Sequence, residues 1–220
     1  KADCMLILGD AVKSGWDMSN SVAMLEGEPG VWTATVYLAA DQGFKFYAEN
    51  DIFNGFQYRA AGEENVTLAE GAATSLVSSE VNRNDSKFQV AEAGNYIITC
   101  DLNAGTITVK KADYQDNEIV YAALWLVGDA TENGWDLGQP VVLAQDASNP
   151  MVYTATADLK EGELQVVVNK FTSYNSDVYV SDATDATKAV RVNKDSEKNN
   201  WKITEAGKYD VKLNVLDNTM

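Results

Sequence analysis

Residues 31–38 alternate in character: Trp32, Ala34, Val36 and Leu38 fall on one side, and Val31, Thr33, Thr35 and Tyr37 on the other. Successive side chains of an extended chain point to opposite faces, so a period of two predicts a half-buried strand. Phe44-Lys45-Phe46, Lys87-Phe88-Gln89-Val90, Asn95-Tyr96-Ile97-Ile98 and Thr106-Ile107-Thr108-Val109 predict further short strands. Gly-containing turns such as Glu92-Ala93-Gly94 and Asn103-Ala104-Gly105 separate several of them. No window sustains a helical period for long. Many short strands divided by turns predict an all-β chain built as a β-sandwich.

The pattern then repeats. Residues 5–25 (MLILGDAVKSGWDMSNSVAML) return as residues 124–143 (LWLVGDATENGWDLGQPVVL), with Gly9, Asp10, Gly15, Trp16 and Asp17 answered by Gly128, Asp129, Gly134, Trp135 and Asp136. Val31-Trp32-Thr33-Ala34-Thr35 returns as Val152-Tyr153-Thr154-Ala155-Thr156, and the segment from Phe88 to Tyr96 as that from Trp201 to Tyr209. Units of this length are two copies of one domain, since solenoid repeats run to roughly 20–50 residues. The predicted division is a module over 1–112, a short polar linker, and a second module over 118–220. The turn and last strand at 103–109 have a counterpart that stops at Asn218-Thr219-Met220. Either the full protein continues or its end is disordered.

The five tryptophans separate into two kinds. Trp32 alternates in phase with Ala34 and Val36, Trp201 with Ile203, and Trp125 lies in an apolar strand where the first copy has Leu6. All three are predicted core. Trp16 and Trp135 each follow a strand and a Gly-Asp turn, between Gly and Asp. That is loop chemistry, and two readings are open: a flat apolar face offered to a ligand, or a ring tucked under the loop to plug the sandwich.

Composition narrows the function classes. With 17 basic against 33 acidic residues the chain carries −16, which disfavours nucleic acid and anionic lipid as partners. The longest apolar run, Ile119 to Val127, is too short to cross a bilayer. No signal peptide is visible; an export signal or lipid anchor would lie upstream of Lys1. The absence of histidine removes the usual general base and imidazole metal ligands. Paired carboxylates could in principle cleave glycosides, but Asp10, Asp17, Asp129 and Asp136 read as turn residues. No phosphate loop, zinc-spaced cysteine pair or calcium loop is present, so neither a cofactor nor a metal is expected. Cys4 and Cys100 are either buried free thiols or a bridge between neighbouring strands.

Gly-Asp-Ala-x-x-x-Gly-Trp-Asp, repeated with matched downstream strands, resembles the SusE/SusF-like outer-membrane lipoproteins of Bacteroidetes polysaccharide-utilisation systems. The layout is also similar to the starch-binding modules attached to many amylases. The resemblance covers essentially the whole chain. It implies two tandem immunoglobulin-like β-sandwiches that bind starch or another α-glucan without catalysis, at the cell surface, beside outer-membrane importer components. Contact with the membrane would then be only through an upstream lipid anchor. In the first copy it implies Trp16 as one platform ring, Lys45 as a donor, and a second ring among residues 53–59, with Phe56 or Tyr58 favoured and Arg59 nearby. A glycan presents apolar C–H faces to such rings while cationic or amide donors meet its hydroxyls. The second copy departs from this pattern, because Leu164-Gln165-Val166 replaces Phe-Lys-Phe. Trp135, Lys170, Phe171 and Tyr174, with Tyr179 a further candidate, form either an altered platform or the remains of a lost one. The rival from a different class is a structural spacer or adhesion-type tandem that reaches a protein partner.

Overall fold

The computed structural model describes residues 2–220, and it is all-β. Among the described residues there is no α-helix, only two single 3-10 turns, at Met18–Asn20 and Lys170–Thr172. The chain gathers into two compact units that divide between Ala122 and Ala123. The polar stretch after residue 112 is stapled to the first unit by Asn95. That side chain donates to the carbonyls of Tyr114 and Asn117 (3.0 and 2.8 Å) and accepts from the amide of Ile119 at 2.9 Å.

The first unit carries strands β1 (Leu6–Leu8), β2 (Val22–Ala23), β3 (Leu25–Glu26), β4 (Val31–Leu38), β5 (Lys45–Tyr47), β6 (Gln57–Ala60), β7 (Val66–Thr67), β8 (Thr74–Ser78), β9 (Phe88–Gln89), β10 (Gly94–Asp101) and β11 (Thr106–Lys111). Nine of them form one sheet in the order β2-β1-β5-β6-β8-β11-β10-β4-β3. Its two edge strands, β2 and β3, are separated by Met24 alone, so the sheet rolls up until its edges nearly meet. The rolled interior is the core. Phe44, Phe46 and Phe88 meet there with ring centroids 5.9–6.3 Å apart, alongside Val36, Ile98 and Ile107.

The second unit carries β12 (Ala123–Val127), β13 (Val141–Gln145), β14 (Val152–Leu159), β15 (Gly162–Val167), β16 (Val178–Ser181), β17 (Ala189–Val192), β18 (Trp201–Ile203) and β19 (Gly207–Asn214). Its sheet order, β17-β16-β15-β12-β13-β14-β19, retraces that of the first unit. Leu6 pairs with Tyr47 as Trp125 pairs with Val167, and Phe46 with Tyr58 as Val166 with Tyr179. In the first unit β11 lies between β8 and β10. At the corresponding place in the second, Thr219 bridges Lys188 and Asn214, beside a groove of about 350 Å³ lined by Leu164, Trp201, Val211 and Met220 among others.

Trp32 and Trp201 are buried, as their alternation predicted, and so is Trp125, as its place in an apolar strand predicted. Cys4 and Cys100 are two buried free thiols; Cys100 lies on β10, across the sheet from the N-terminal edge. Burial pushes the Cys4 thiol up to about 12, helped by the charges of Asp3 and Glu49, and pushes Cys100 well above its usual range.

Candidate functional site

The duplicated phrase folds into the same loop twice. Gly9 N–H donates to the Gly15 carbonyl at 3.0 Å, and Gly128 N–H to that of Gly134 at 3.0 Å. Inside each loop the amide of Gly15 meets the Val12 carbonyl, and Gly134 that of Thr131; Asp17 and Asp136 return to Ser14 and Asn133. The glycines are required by geometry. A Cβ on Gly9 would sit 2.1 Å from the Gly43 carbonyl oxygen, and one on Gly128 2.0 Å from that of Glu163. Gly15 and Gly134 adopt φ of 59° and 62°, the left-handed region that favours glycine. A loop bonded across its neck in this way presents the following tryptophan from a fixed backbone.

The surroundings of the two rings differ. Trp16 is half-buried, and its indole N–H donates to Asp10 Oδ1 at 3.2 Å. Two ammonium groups stand near its ring, Lys45 Nζ at 5.7 Å and Lys87 Nζ at 5.8 Å from the centroid, within cation–π range. Asp85 joins them, with Oδ1 2.5 Å from Lys45 Nζ and Oδ2 2.9 Å from Lys87 Nζ.

Lys45 is covered: only 6% of its side chain is exposed, against 61% for Asp85 and 21% for Lys87. The two partners of this ion pair shift the same way, and exposure explains why. Burial is the largest influence on Lys45 and holds its ammonium below the usual range despite Asp85. Burial alone would raise the Asp85 carboxyl, but hydrogen bonds from Lys45 and Lys87 outweigh it and hold the carboxyl below its ordinary value.

Strand pairing decides which other candidates share this face. Alternation along β5 turns Lys45 and Tyr47 away from Phe44 and Phe46. The β5–β6 register sets Tyr47 opposite Gln57 and Phe46 opposite Tyr58. Gln57 and Arg59 therefore lie with Lys45 in a buried polar layer behind Trp16. Arg59 is 7% exposed; its guanidinium donates to the Asn84 carbonyl at 2.6 Å and to Gln57 Oε1. Tyr58 faces the other way, and Phe56, two residues before it, packs edge-on against it at 5.4 Å. The structure thus brings Trp16, Lys45 and Arg59 to one face and sets Phe56 and Tyr58 on the opposite one. Of the aromatic residues between 53 and 59, Phe53 is the solvent-facing one, at 89% exposure.

In the second unit Trp135 is 41% exposed. The Tyr174 hydroxyl donates to the Trp135 carbonyl, tying the loop between β15 and β16 to the tryptophan loop. Tyr174 and Ser173 both hold positive φ (62° and 53°), an unusual state for a bulky residue and one that surrounding structure must enforce. Phe171 packs edge-on against buried Trp125 at 6.4 Å, and Lys170 Nζ lies 4.8 Å from the Phe171 centroid. Burial lowers the Lys170 ammonium below its usual range. Tyr179 is buried in β16.

The turn carboxylates have structural partners. Asp17 accepts from Asn20 and Asp136 from the amide of Gly138, while Asp129 accepts from the amide of Glu163. Sequence reasoning missed Asp85 and Lys87 as site residues: Asp85 lies in the aperiodic segment before β9, and Lys87, which opens the predicted strand at 87–90, immediately precedes β9. Among the described residues no group of three or more acidic or cysteine side chains is arranged to hold a metal, and no helix is long and apolar enough to cross a membrane.

No family model matches the chain, and neither does any curated protein. Among solved structures, SusF from Bacteroides thetaiotaomicron aligns over 99% of this chain at 14% identity, with a TM-score of 0.34. The alignment covers 46% of that SusF chain, so the present chain spans under half its length.

Proposed function

We propose that the chain is a non-catalytic carbohydrate-binding protein with one tryptophan platform in each unit. One observation carries this reading: the same neck-bonded loop is built twice, and each copy holds an indole that stays partly open to solvent, half-buried at Trp16 and exposed at Trp135. A plug would be driven inward by its large apolar area, yet Trp135 keeps 41% of its surface in contact with solvent. A ring fixed in place before the ligand arrives loses little conformational freedom on binding, which suits a shallow sugar site. In the first unit the platform is Trp16 backed by Lys45 and Arg59. In the second it is Trp135 with Tyr174, with Lys170 and Phe171 as further candidates on the same loop between β15 and β16. Starch or another α-glucan is the proposed ligand class, held for a surface polysaccharide-utilisation system to which a lipid anchor upstream of Lys1 would attach the protein.

Affinity electrophoresis through gels containing neutral polysaccharides tests the reading, with wild type and a Trp16→Ala/Trp135→Ala double variant compared. The expected result is retardation of wild type by an α-glucan, lost in the variant with its melting transition nearly unchanged. If stability instead falls by the roughly 3–5 kcal/mol typical of a core tryptophan, the rings are plugs and the chain is a spacer.

A further inference from the structure

We propose that Lys87 and Asp85 complete the Trp16 platform as a donor–acceptor pair that reads adjacent hydroxyls of a neutral sugar and disfavours acidic glycans. This rests on the carbohydrate reading of the Trp16 loop given above. Lys87 Nζ stands 5.8 Å from the indole centroid and 2.9 Å from Asp85 Oδ2, so donor and acceptor sit side by side near the ring. A sugar stacked on the indole turns its hydroxyls outward around the ring edge. Each hydroxyl both donates and accepts, so neighbouring hydroxyls match a neighbouring ammonium and carboxylate.

The pair is built for the purpose. Buried Lys45 holds Asp85 Oδ1 from behind, which fixes the carboxylate while leaving 61% of that side chain open. Each carboxylate oxygen retains accepting capacity beyond its lysine, and the Lys87 ammonium, which donates to Asp85 Oδ2 at 2.9 Å and to the Asp85 carbonyl at 3.2 Å, keeps its third proton for a ligand. The charge around the ring favours neutral ligands. Asp10, Asp17 and Asp85 are exposed, whereas Lys45 and Arg59 are covered and Lys87 is mostly so. A uronate or sulfate group approaching the indole therefore meets carboxylates first.

The test is titration calorimetry on the full chain carrying Trp135→Ala, which leaves the Trp16 site alone. The probes are a panel of neutral gluco-, manno- and xylo-oligosaccharides, with hexagalacturonate as the acidic one. The expected result is that a neutral oligosaccharide binds, that Lys87→Met and Asp85→Asn each weaken it about tenfold (one charge-assisted hydrogen bond), and that hexagalacturonate binds more weakly. Because Asp85→Asn also leaves Lys45 without its partner, Lys87→Met with an unchanged melting transition is the deciding variant. Parent-like binding by Lys87→Met, or tighter binding of hexagalacturonate than of every neutral probe, overturns the proposal. If the parent binds no probe, the carbohydrate reading of this loop falls first and the pair falls with it.

Discussion

Behind the Trp16 loop the first unit carries Lys45, Tyr47, Gln57 and Arg59; at the same register positions the second carries Gln165, Val167, Val178 and Val180. Leu6 of the first is Trp125 in the second. The loops in front share their backbone hydrogen bonds and glycine dihedrals, yet the layers at those register positions use different physics. Trp16 has a charged, hydrogen-bonded network beside it, whereas the second unit's layer is largely apolar, with Trp125 and Phe171 packed edge-on. A backbone-defined loop tolerates this exchange because its shape depends on glycines and amides rather than on what lies beneath. It follows that the first platform should respond to charge and pH, and the second chiefly to packing.

The largest expected effect lies in the apolar stack. Trp125→Ala should destabilise the second unit by roughly 3–5 kcal/mol in urea unfolding, whereas Trp135→Ala, at the surface, should change stability by under about 1 kcal/mol. Equal effects would dissolve the distinction between supporting and presented tryptophans.

The charged layer should show an asymmetry of its own. Asp85→Asn strands a buried ammonium and should cost about 2–3 kcal/mol, while Lys45→Met leaves behind a well-solvated carboxylate and should cost under about 1 kcal/mol. Denaturant midpoints of the two variants measure this; the reverse order would mean that Asp85, not Lys45, is the desolvated partner.

A smaller effect concerns acid. The Asp85 carboxyl is held below its ordinary value of 3.8 in the folded state. Its contribution is therefore full above the ordinary carboxylate range and lost as pH falls through the lowered folded value. The difference in melting temperature between wild type and Asp85→Asn should accordingly be widest near neutrality and shrink in acid. A difference constant with pH would place the carboxylate outside the network.

Much of the fold was legible in the sequence, because alternation reports directly on which face a residue occupies. The buried Trp32 and Trp201 and the all-β character followed from it, and the buried Trp125 from the apolar run that holds it. The burial of Lys45 did not. Alternation correctly turns it away from Phe44 and Phe46, but a period of two cannot tell a solvent-facing surface from one roofed by a loop. The roof includes Asp85 and Asn84, whose segment has no periodicity to read. Phe56 and Tyr58 illustrate a second limit of local pattern. Their face depends on the register of β6 against β5, a non-local pairing fixed only when the strands meet. Phe171 and Tyr174 were candidates only through the resemblance carried onto the second copy, and the left-handed turn that carries Tyr174 to the Trp135 carbonyl has no glycine to announce it.

The central claim, that each copy of the loop is a working platform, is tested most directly by counting sites. Calorimetric titration with a short neutral oligosaccharide that binds wild type should give two sites, each with a dissociation constant on the order of 0.1–1 mM, as expected of shallow open platforms. Trp16→Ala and Trp135→Ala should each leave one site, and the double variant none. An unchanged stoichiometry in either single variant would contradict the account, reducing that copy of the loop to shared ancestry and fold without shared function.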